Sequence, residues 1–315
     1  MARHLRATLP PLLVALVLTA CGGGGGGQSD RGSASQQTTA VNLQEPNAPQ
    51  ATGNTATDGL NWFNFRRQQL GMQNASRNAS IDIAAQGHSD YQRINNTVTH
   101  EQTPGQPGFT GTTVGDRLAA AGYTFSPRAS YAYGEVISAT ADASGVKAAE
   151  DLIAAIYHRF VIFEPMFKEA GAGAATGNGS TYFTVNFAAN GLTSGLGTGK
   201  IITYPFSDQQ RVARNFFSDN EAPDPVPDRN EVGYPISVHA DITSSLTTQS
   251  FTIRPRGGAP LAVKQLTSTL DPLTPDSVAA IIPLDALQAA TTYDVQFTGT
   301  VDGANVNHSW SFTTQ

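Results

Sequence analysis

An α+β chain with two folded units is predicted by three features of the sequence. Helical periodicity, with a capping residue at each start, recurs between residues 58 and 156. Two stretches, Tyr133–Ile137 and Thr181–Phe187, read as strands that those helices can cover, with Phe183, Val185 and Phe187 on one face of the second. From Tyr234 onward the pattern is one of short strands and turns, which predicts a small all-β sandwich. The length of 315 residues suits two domains of roughly 100–200 residues each.

In chain order, Asp58 is placed to cap a first helix with Leu60, Phe63, Arg67 and Leu70 on one side, and Gly71 to end it. Ser80 is placed to cap a second. Its Ile81, Ala84, Ala85, His88 and Tyr91 fall on one face. Val114, Leu118 and Ala121 predict a short third helix ending at Gly122. Ser144 starts a fourth, with Val146, Ala149, Leu152, Ile153 and Ile156 as its apolar positions. These helices and strands make a mixed layered unit over 58–190. Residues 191–233 are rich in Gly and Pro and carry Glu221-Ala-Pro-Asp-Pro-Val-Pro-Asp, which predicts an extended linker. The unit at 234–315 has expected strands at Ile236–His239, Ser250–Ile253, Val278–Ile282, Tyr293–Thr298 and His308–Phe312. Asp302-Gly303 is a tight-turn signal between the last two.

The N-terminus carries an address. Arg3, His4 and Arg6 precede a short apolar run at residues 11–18, too short to span a bilayer comfortably. Leu18-Thr19-Ala20-Cys21 resembles a bacterial lipobox, and Cys21 is the single cysteine of the chain. The resemblance implies removal of a signal peptide at 1–20, acylation of Cys21 and anchoring to a membrane, since two or more acyl chains hold stably. Gly22 rather than Asp after the cysteine implies the outer membrane in a diderm host. Residues 21–57 then form a lipidated cysteine and a flexible Gly/Ser/Gln/Thr tether. Its 36 residues after Cys21 span about 30–36 Å.

Composition excludes several classes. The single cysteine excludes a disulfide framework and a Cys-rich zinc site. Without residues 1–20 the chain keeps 17 basic and 25 acidic side chains, a balance of −8. No basic patch is left for phosphates, so nucleic acid is not an expected partner. Neither the glycine run at 22–27 nor Gly191–Lys200 fits a phosphate loop. No Ser or Cys nucleophile motif is present, and no residue is singled out as catalytic.

The first folded unit resembles the CAP superfamily (cysteine-rich secretory proteins, antigen 5, pathogenesis-related proteins; SCP-like) from Leu60 to Phe187. The resemblance rests on Leu60-Asn-Trp-Phe-Asn-Phe-Arg-Arg-Gln-Gln-Leu-Gly, on Ala84-Ala-Gln-Gly-His-Ser, and on Thr99-His100. It continues through Gly122-Tyr123, Gly134-Glu135-Val136-Ile137, His158-Arg159, Gly171-Ala172-Gly173 and the aromatic strand to Phe187. It implies a three-layer α-β-α sandwich whose cleft carries two histidines and two acids: His100, Glu135, His158, and either Glu150 or Asp151. Val136 stands where the family has Asn. The second unit, through Pro283-Leu-Asp-Ala-Leu-Gln-Ala-Ala-Thr-Thr-Tyr-Asp-Val, resembles bacterial immunoglobulin-like domains. In those domains the hydroxyl of the residue matching Tyr293 bonds back to the corner backbone.

Two imidazoles with one or two carboxylates suit Zn or another divalent cation, or general acid–base work, or a hydrogen-bonded polar cluster without turnover. Three functions follow. The favoured one is a cell-envelope lipoprotein that binds a lipid, peptide or envelope ligand. The others are a metal-dependent hydrolase or protease using the His/Glu cleft, and an adhesion or spacer protein acting through the β-sandwich. His88 is expected to be a satisfied core histidine, and His239 and His308 to be structural or exposed. Trp62 and Trp310 are expected to serve packing. Tyr157, Phe160, Phe163 and Phe167 suit either core packing or an apolar groove.

Overall fold

The structure, a computed structural model, describes residues 13–17, 45–193 and 195–315. Cys21 and most of its tether lie outside the described residues. Among those described, no helix is long and apolar enough to cross a membrane.

The first unit opens with strand β1 (Leu13–Val17), helix α1 (Thr55–Gln69), the two-residue strand β2 (Ser76–Arg77), and helix α2 (Ala79–Asn95). Then come α3 (Val114–Ala120), β3 (Tyr131–Thr140), α4 (Gly145–Ala154), α5 (Ile156–Ile162), β4 (Glu169–Gly177) and β5 (Ser180–Asn190). The sheet order is β1-β3-β5-β4-β2. β3 and β4 each pair antiparallel with β5, while β1 lies parallel to β3. α1, α4 and α5 cover one face and α2 and α3 the other, which gives three layers.

Alternation along β5 explains the layering. Phe183 stacks on Phe63 of α1, and Phe187 packs against the same ring at a tilt. Thr184, between them, points the other way and bonds Ser89 of α2. α2 lies very close to the sheet because Gly171 and Gly173 of β4 have no side chains. A Cβ on Gly173 would collide with the backbone of Ala85 and Gln86. Its predicted apolar face is buried throughout, at Ile81, Ala84, Ala85, His88 and Tyr91.

The helix starts differ from the sequence reading at two places. α1 is capped by Asn54, whose side chain accepts from Thr57 N. Asp58 instead accepts from Thr52 and Gly53, bracing the chain as it enters the helix. α2 is capped by Asn78, not Ser80. In both cases an Asn upstream satisfies the first free N–H groups, and a helix once started gains a bond per added residue. Ser144 caps α4 as expected. The fourth helix does not continue through Ile156, because Ala155 turns to an extended ψ of 116° and α5 begins anew.

Residues 191–233 are folded rather than merely extended. They carry β6 (Ile202–Tyr204), β7 (Gln209–Val212), β8 (Asn215–Phe217) and β9 (Glu231–Gly233). Tyr204, Val212, Phe216, Val226 and Val232, scattered through this segment, are buried. The remaining strands are β10 (Ile236–His239), β11 (Leu246–Pro255), β12 (Val263–Leu266), β13 (Val278–Pro283), β14 (Thr292–Val301) and β15 (Ala304–Thr314). They form two four-stranded sheets, β12-β13-β10-β6 and β11-β14-β15-β7. The connecting segment thus adds the last strand to each sheet, β6 beside β10 and β7 beside β15. Asp302 and Gly303 both have positive φ, 52° and 78°, in the tight turn between β14 and β15. The Tyr293 hydroxyl accepts from Gln288 N at 2.7 Å, closing the corner before β14.

The two units share a buried boundary along α5. Arg159 donates to Ile153 O and Pro235 O, both at 2.6 Å, and its guanidinium lies 5.0 Å from the ring centres of Tyr204 and Tyr234. Phe160 and Phe163 meet the His239 ring. Just past α5, one carboxylate oxygen of Glu164 accepts from Met166 N at 2.9 Å and from Ile242 N at 3.1 Å, so it spans the boundary. Burial raises the Glu164 carboxyl to about 8, and nearby Asp241 pushes the same way. The two N–H groups and Arg67 oppose them.

Two outcomes are expected. Glu164 is protonated in the folded protein from its ordinary value of 4.5 up to about 8. Its contribution is therefore complete below pH 4.5 and is lost as pH rises to 8. Glu164→Gln keeps the shared acceptor without the proton, so urea unfolding at pH 5, 7 and 9 should show a flatter pH dependence than wild type over that window. Gly173→Ala should cost about 1–3 kcal/mol by overpacking α2 on the sheet. A wild-type melting temperature in that variant would refute the close-approach argument.

Candidate functional site

Two buried histidine–carboxylate pairs form the candidate site, one from each helical layer. The first surrounds Glu135 of β3, which points to the α2–α3 side. Arg117 of α3 donates to both carboxylate oxygens at 2.8 and 2.7 Å. It also holds the loop before it through His100 O at 2.9 Å. His100 places Nδ1 2.9 Å from the same carboxylate. All three side chains are buried. A capping box at Thr113 and Asp116 starts α3 and so sets where Arg117 emerges.

Burial alone would raise the Glu135 carboxyl. The Arg117 guanidinium and the neighbouring imidazoles outweigh it and bring it down to about 2. That stabilisation is full above the ordinary 4.5 and fades as pH falls towards 2. Because a carboxylate only accepts, His100 donates through Nδ1–H and its neutral form keeps a lone pair on Nε2. That Nε2 is buried with no hydrogen-bond partner.

His88 stands beside this cluster, with Nε2 3.8 Å from Glu135. Both its ring nitrogens are used. Nε2 donates to Thr99 O at 2.7 Å, and Nδ1 accepts from Gln102 Nε2 at 3.0 Å. Burial, with Arg117 adding to it, lowers its imidazole to about 4, so His88 is neutral at pH 7. It is the satisfied core histidine expected of it. Asn186 lies opposite Glu135 in the β3–β5 register, and both polar atoms of its amide are buried without a partner.

The second pair is His158 with Glu221. His158 is the third residue of α5, a helix whose cap, Ala155, has no side-chain acceptor. Glu221 supplies it from the connecting segment. Its carboxylate accepts from Ile156 N and Tyr157 N, both at 2.7 Å, and from His158 N at 3.2 Å. It also lies 3.0 Å from His158 Nδ1. A carboxylate at a helix start satisfies free N–H groups and the positive end of the helix dipole. As with His100, Nδ1 donates and Nε2 is buried without a partner.

The sequence candidates thus fall into two groups. His100 and Glu135 are bonded partners, and His158 stands on α5, in the layer across the sheet. Glu150 and Asp151 are placed elsewhere. Glu150 accepts from Trp62 Nε1 and from Arg66 Nε, while Asp151 pairs with Lys147 on the exposed side of α4. The acid that meets His158 is Glu221, which the sequence reading assigned to a linker. The signal for Arg117 was an arginine inside a short amphipathic helix, which reads equally well as a surface residue. Tyr157, Phe160, Phe163 and Phe167 are buried and belong to the core. His239 is fully buried, while His308 is partly exposed beside Trp310.

Chemically, each pair is a carboxylate–imidazole unit with a bare nitrogen, the arrangement that presents histidine to a metal. Each Nε2 suits a divalent cation by donor type, but the two stand in layers on opposite sides of the sheet and cannot share one ion. Glu135 and Glu221 are already engaged as their backing acids. Among the described residues, no three His, Cys, Asp or Glu side chains gather as a ready metal cage.

Removing Arg117 would leave Glu135 buried without its counter-charge. Arg117→Leu is therefore expected to destabilise the fold by about 3–5 kcal/mol, read by urea denaturation at pH 7. A loss near zero would show that Glu135 does not depend on it.

Comparison with known proteins follows the geometry. The chain is similar to an extracellular SCP-domain protein from Bacillus anthracis, at 24% identity over 43% of its length, with a TM-score of 0.36. It spans 40% of that longer protein. It is also similar to an outer surface protein from Borrelia burgdorferi, at 14% identity and a TM-score of 0.35, over 42% of this chain and 89% of that one. No curated protein matches. Residues 60–187 match the model of the family described as CAP, cysteine-rich secretory protein family.

Proposed function

We propose that this is a lipid-anchored cell-envelope protein whose CAP domain binds an envelope ligand (a lipid or a peptide). The second unit is an immunoglobulin-like accessory domain in this reading, supported by the two-sheet sandwich and the Tyr293 corner bond. The anchor is Cys21, supported by its place at the end of the apolar run. The observation that carries the binding reading is the pair of buried histidines, His100 and His158, each held through Nδ1 by a carboxylate with Nε2 left bare.

His100 and His158 stand in layers on opposite sides of the sheet, so one cation cannot take both Nε2 atoms, and each is left to accept a hydrogen bond from a ligand donor. Glu135 and Glu221 fix each ring in the tautomer that keeps Nε2 unprotonated, and Arg117 keeps Glu135 charged. Hydrolysis is the weaker reading. A carboxylate held at about 2 and bonded on both oxygens is a poor general base at neutral pH.

Sedimentation of the purified protein with lipid vesicles and pull-down with envelope peptides, with and without His100→Ala and His158→Ala, test this reading. Binding in wild type, weakened at least tenfold in either variant, is the expected result. No binding, or binding indifferent to both substitutions, would reduce the two pairs to structural polar clusters.

A further inference from the structure

We infer that Glu221 is a positioning residue for His158, so that the site in the CAP domain is completed by a residue from beyond its boundary. The inference rests on the binding reading above. The matched segment ends at residue 187, and Glu221 lies 34 residues beyond it. Within 60–187 the acids nearest in sequence to His158 are engaged elsewhere. Glu150 is bonded to Trp62 and Arg66, Asp151 to Lys147, and Glu164 to Met166 and Ile242.

Glu221 is 1% exposed and uses both oxygens. One accepts from Ile156 N, and the other from Tyr157 N, His158 N and His158 Nδ1. The three backbone bonds hold the carboxylate still, and the carboxylate holds the ring. Without an acceptor at Nδ1, neutral imidazole carries its proton on either nitrogen, and the Nε2–H form cannot accept from a ligand or bind a cation. With Glu221 in place the proton sits on Nδ1 and Nε2 is committed to binding.

The segment that carries Glu221 is itself built into the second unit. Ser218 N donates to Asn230 O, and β8 pairs with β9. β9 runs on to Tyr234 and Pro235, against which Arg159 of α5 is held. The orientation of His158 therefore depends on the fold that follows the CAP domain, and the CAP segment expressed alone would lack it.

The test uses the whole chain labelled with ¹⁵N-histidine. Two-bond ¹H–¹⁵N correlations report each ring's tautomer, and His88 and His100, each with its own partners, serve as internal controls. In wild type His158 should show a protonated Nδ1 and a bare Nε2. In Glu221→Ala that pattern should be lost for His158 alone. Glu221→Gln keeps an acceptor oxygen and should restore the tautomer. An unchanged His158 tautomer in Glu221→Ala would overturn the inference. If that variant does not fold, loss of the Nδ1–H pattern in Glu221→Gln, which keeps the acceptor, would overturn it. Failure of wild type to bind vesicles or envelope peptides would overturn the binding reading, and the tautomer measurement by itself would then decide the role of Glu221.

Discussion

The burial of Arg159 is the constraint on which the rest of this structure depends. A guanidinium has five N–H donors and a permanent charge, and neither can be left bare in a protein interior. α5 supplies partners on one side through the end of α4. The other side must come from the second unit, as Pro235 O, the Ser237 hydroxyl and the rings of Tyr204 and Tyr234. Once Arg159 is held, α5 is fixed in rotation. Tyr157 and His158 then meet Glu221, and Phe160 and Phe163 meet His239. A seven-residue helix is too short to be stable alone, and here its start and its buried face are both secured by residues that follow the CAP segment.

The same logic governs the other layer. Glu135 is a buried carboxylate on β3, and Arg117, His100 and His88 are arranged around its charge. The arrangement leaves two kinds of histidine in one neighbourhood. His88 has both nitrogens satisfied, and burial keeps it neutral. His100 has one nitrogen satisfied and one bare. The difference lies in what the second nitrogen meets, since Gln102 reaches His88 and nothing reaches His100. His158 repeats the His100 pattern on α5. Buried polar atoms are satisfied in nearly all proteins, so two bare imidazole nitrogens at carboxylate-backed positions are a strong chemical signal among the described residues.

Buried ionisable groups also bracket the pH at which the fold is most stable. His88 and His239 are held below their ordinary range, at about 4 and about 3, by burial and by Arg117 and Arg159 respectively. They favour the unfolded chain as pH falls through 6.5. Glu164 acts in the opposite direction, withdrawing stability as pH rises towards 8. All three sit on or beside α5 or the Glu135 cluster, so the elements that build the candidate site also set the pH range over which it is intact.

The sequence by itself determined the local elements and much of their burial. The apolar stripe of α2, the cap at Ser144, the shared face of Phe183, Val185 and Phe187 and the turn at Asp302-Gly303 were all legible, because each depends on residues a few positions apart, and the corner bond of Tyr293 was legible through its resemblance to immunoglobulin-like domains. The pairing of His100 with Glu135 was legible only through the order of the family's motifs. Tertiary structure decided the rest. Glu221 stands in a Pro-rich stretch whose composition reads as linker, and nothing nearby in sequence says that it will reach α5, 63 residues away from His158. β6 and β7 were hidden in the same way, since three or four residues carry too little periodicity to announce a strand. What an isolated segment prefers is written in its own side chains. Which buried donor it must satisfy is known only when the distant donor has been brought beside it.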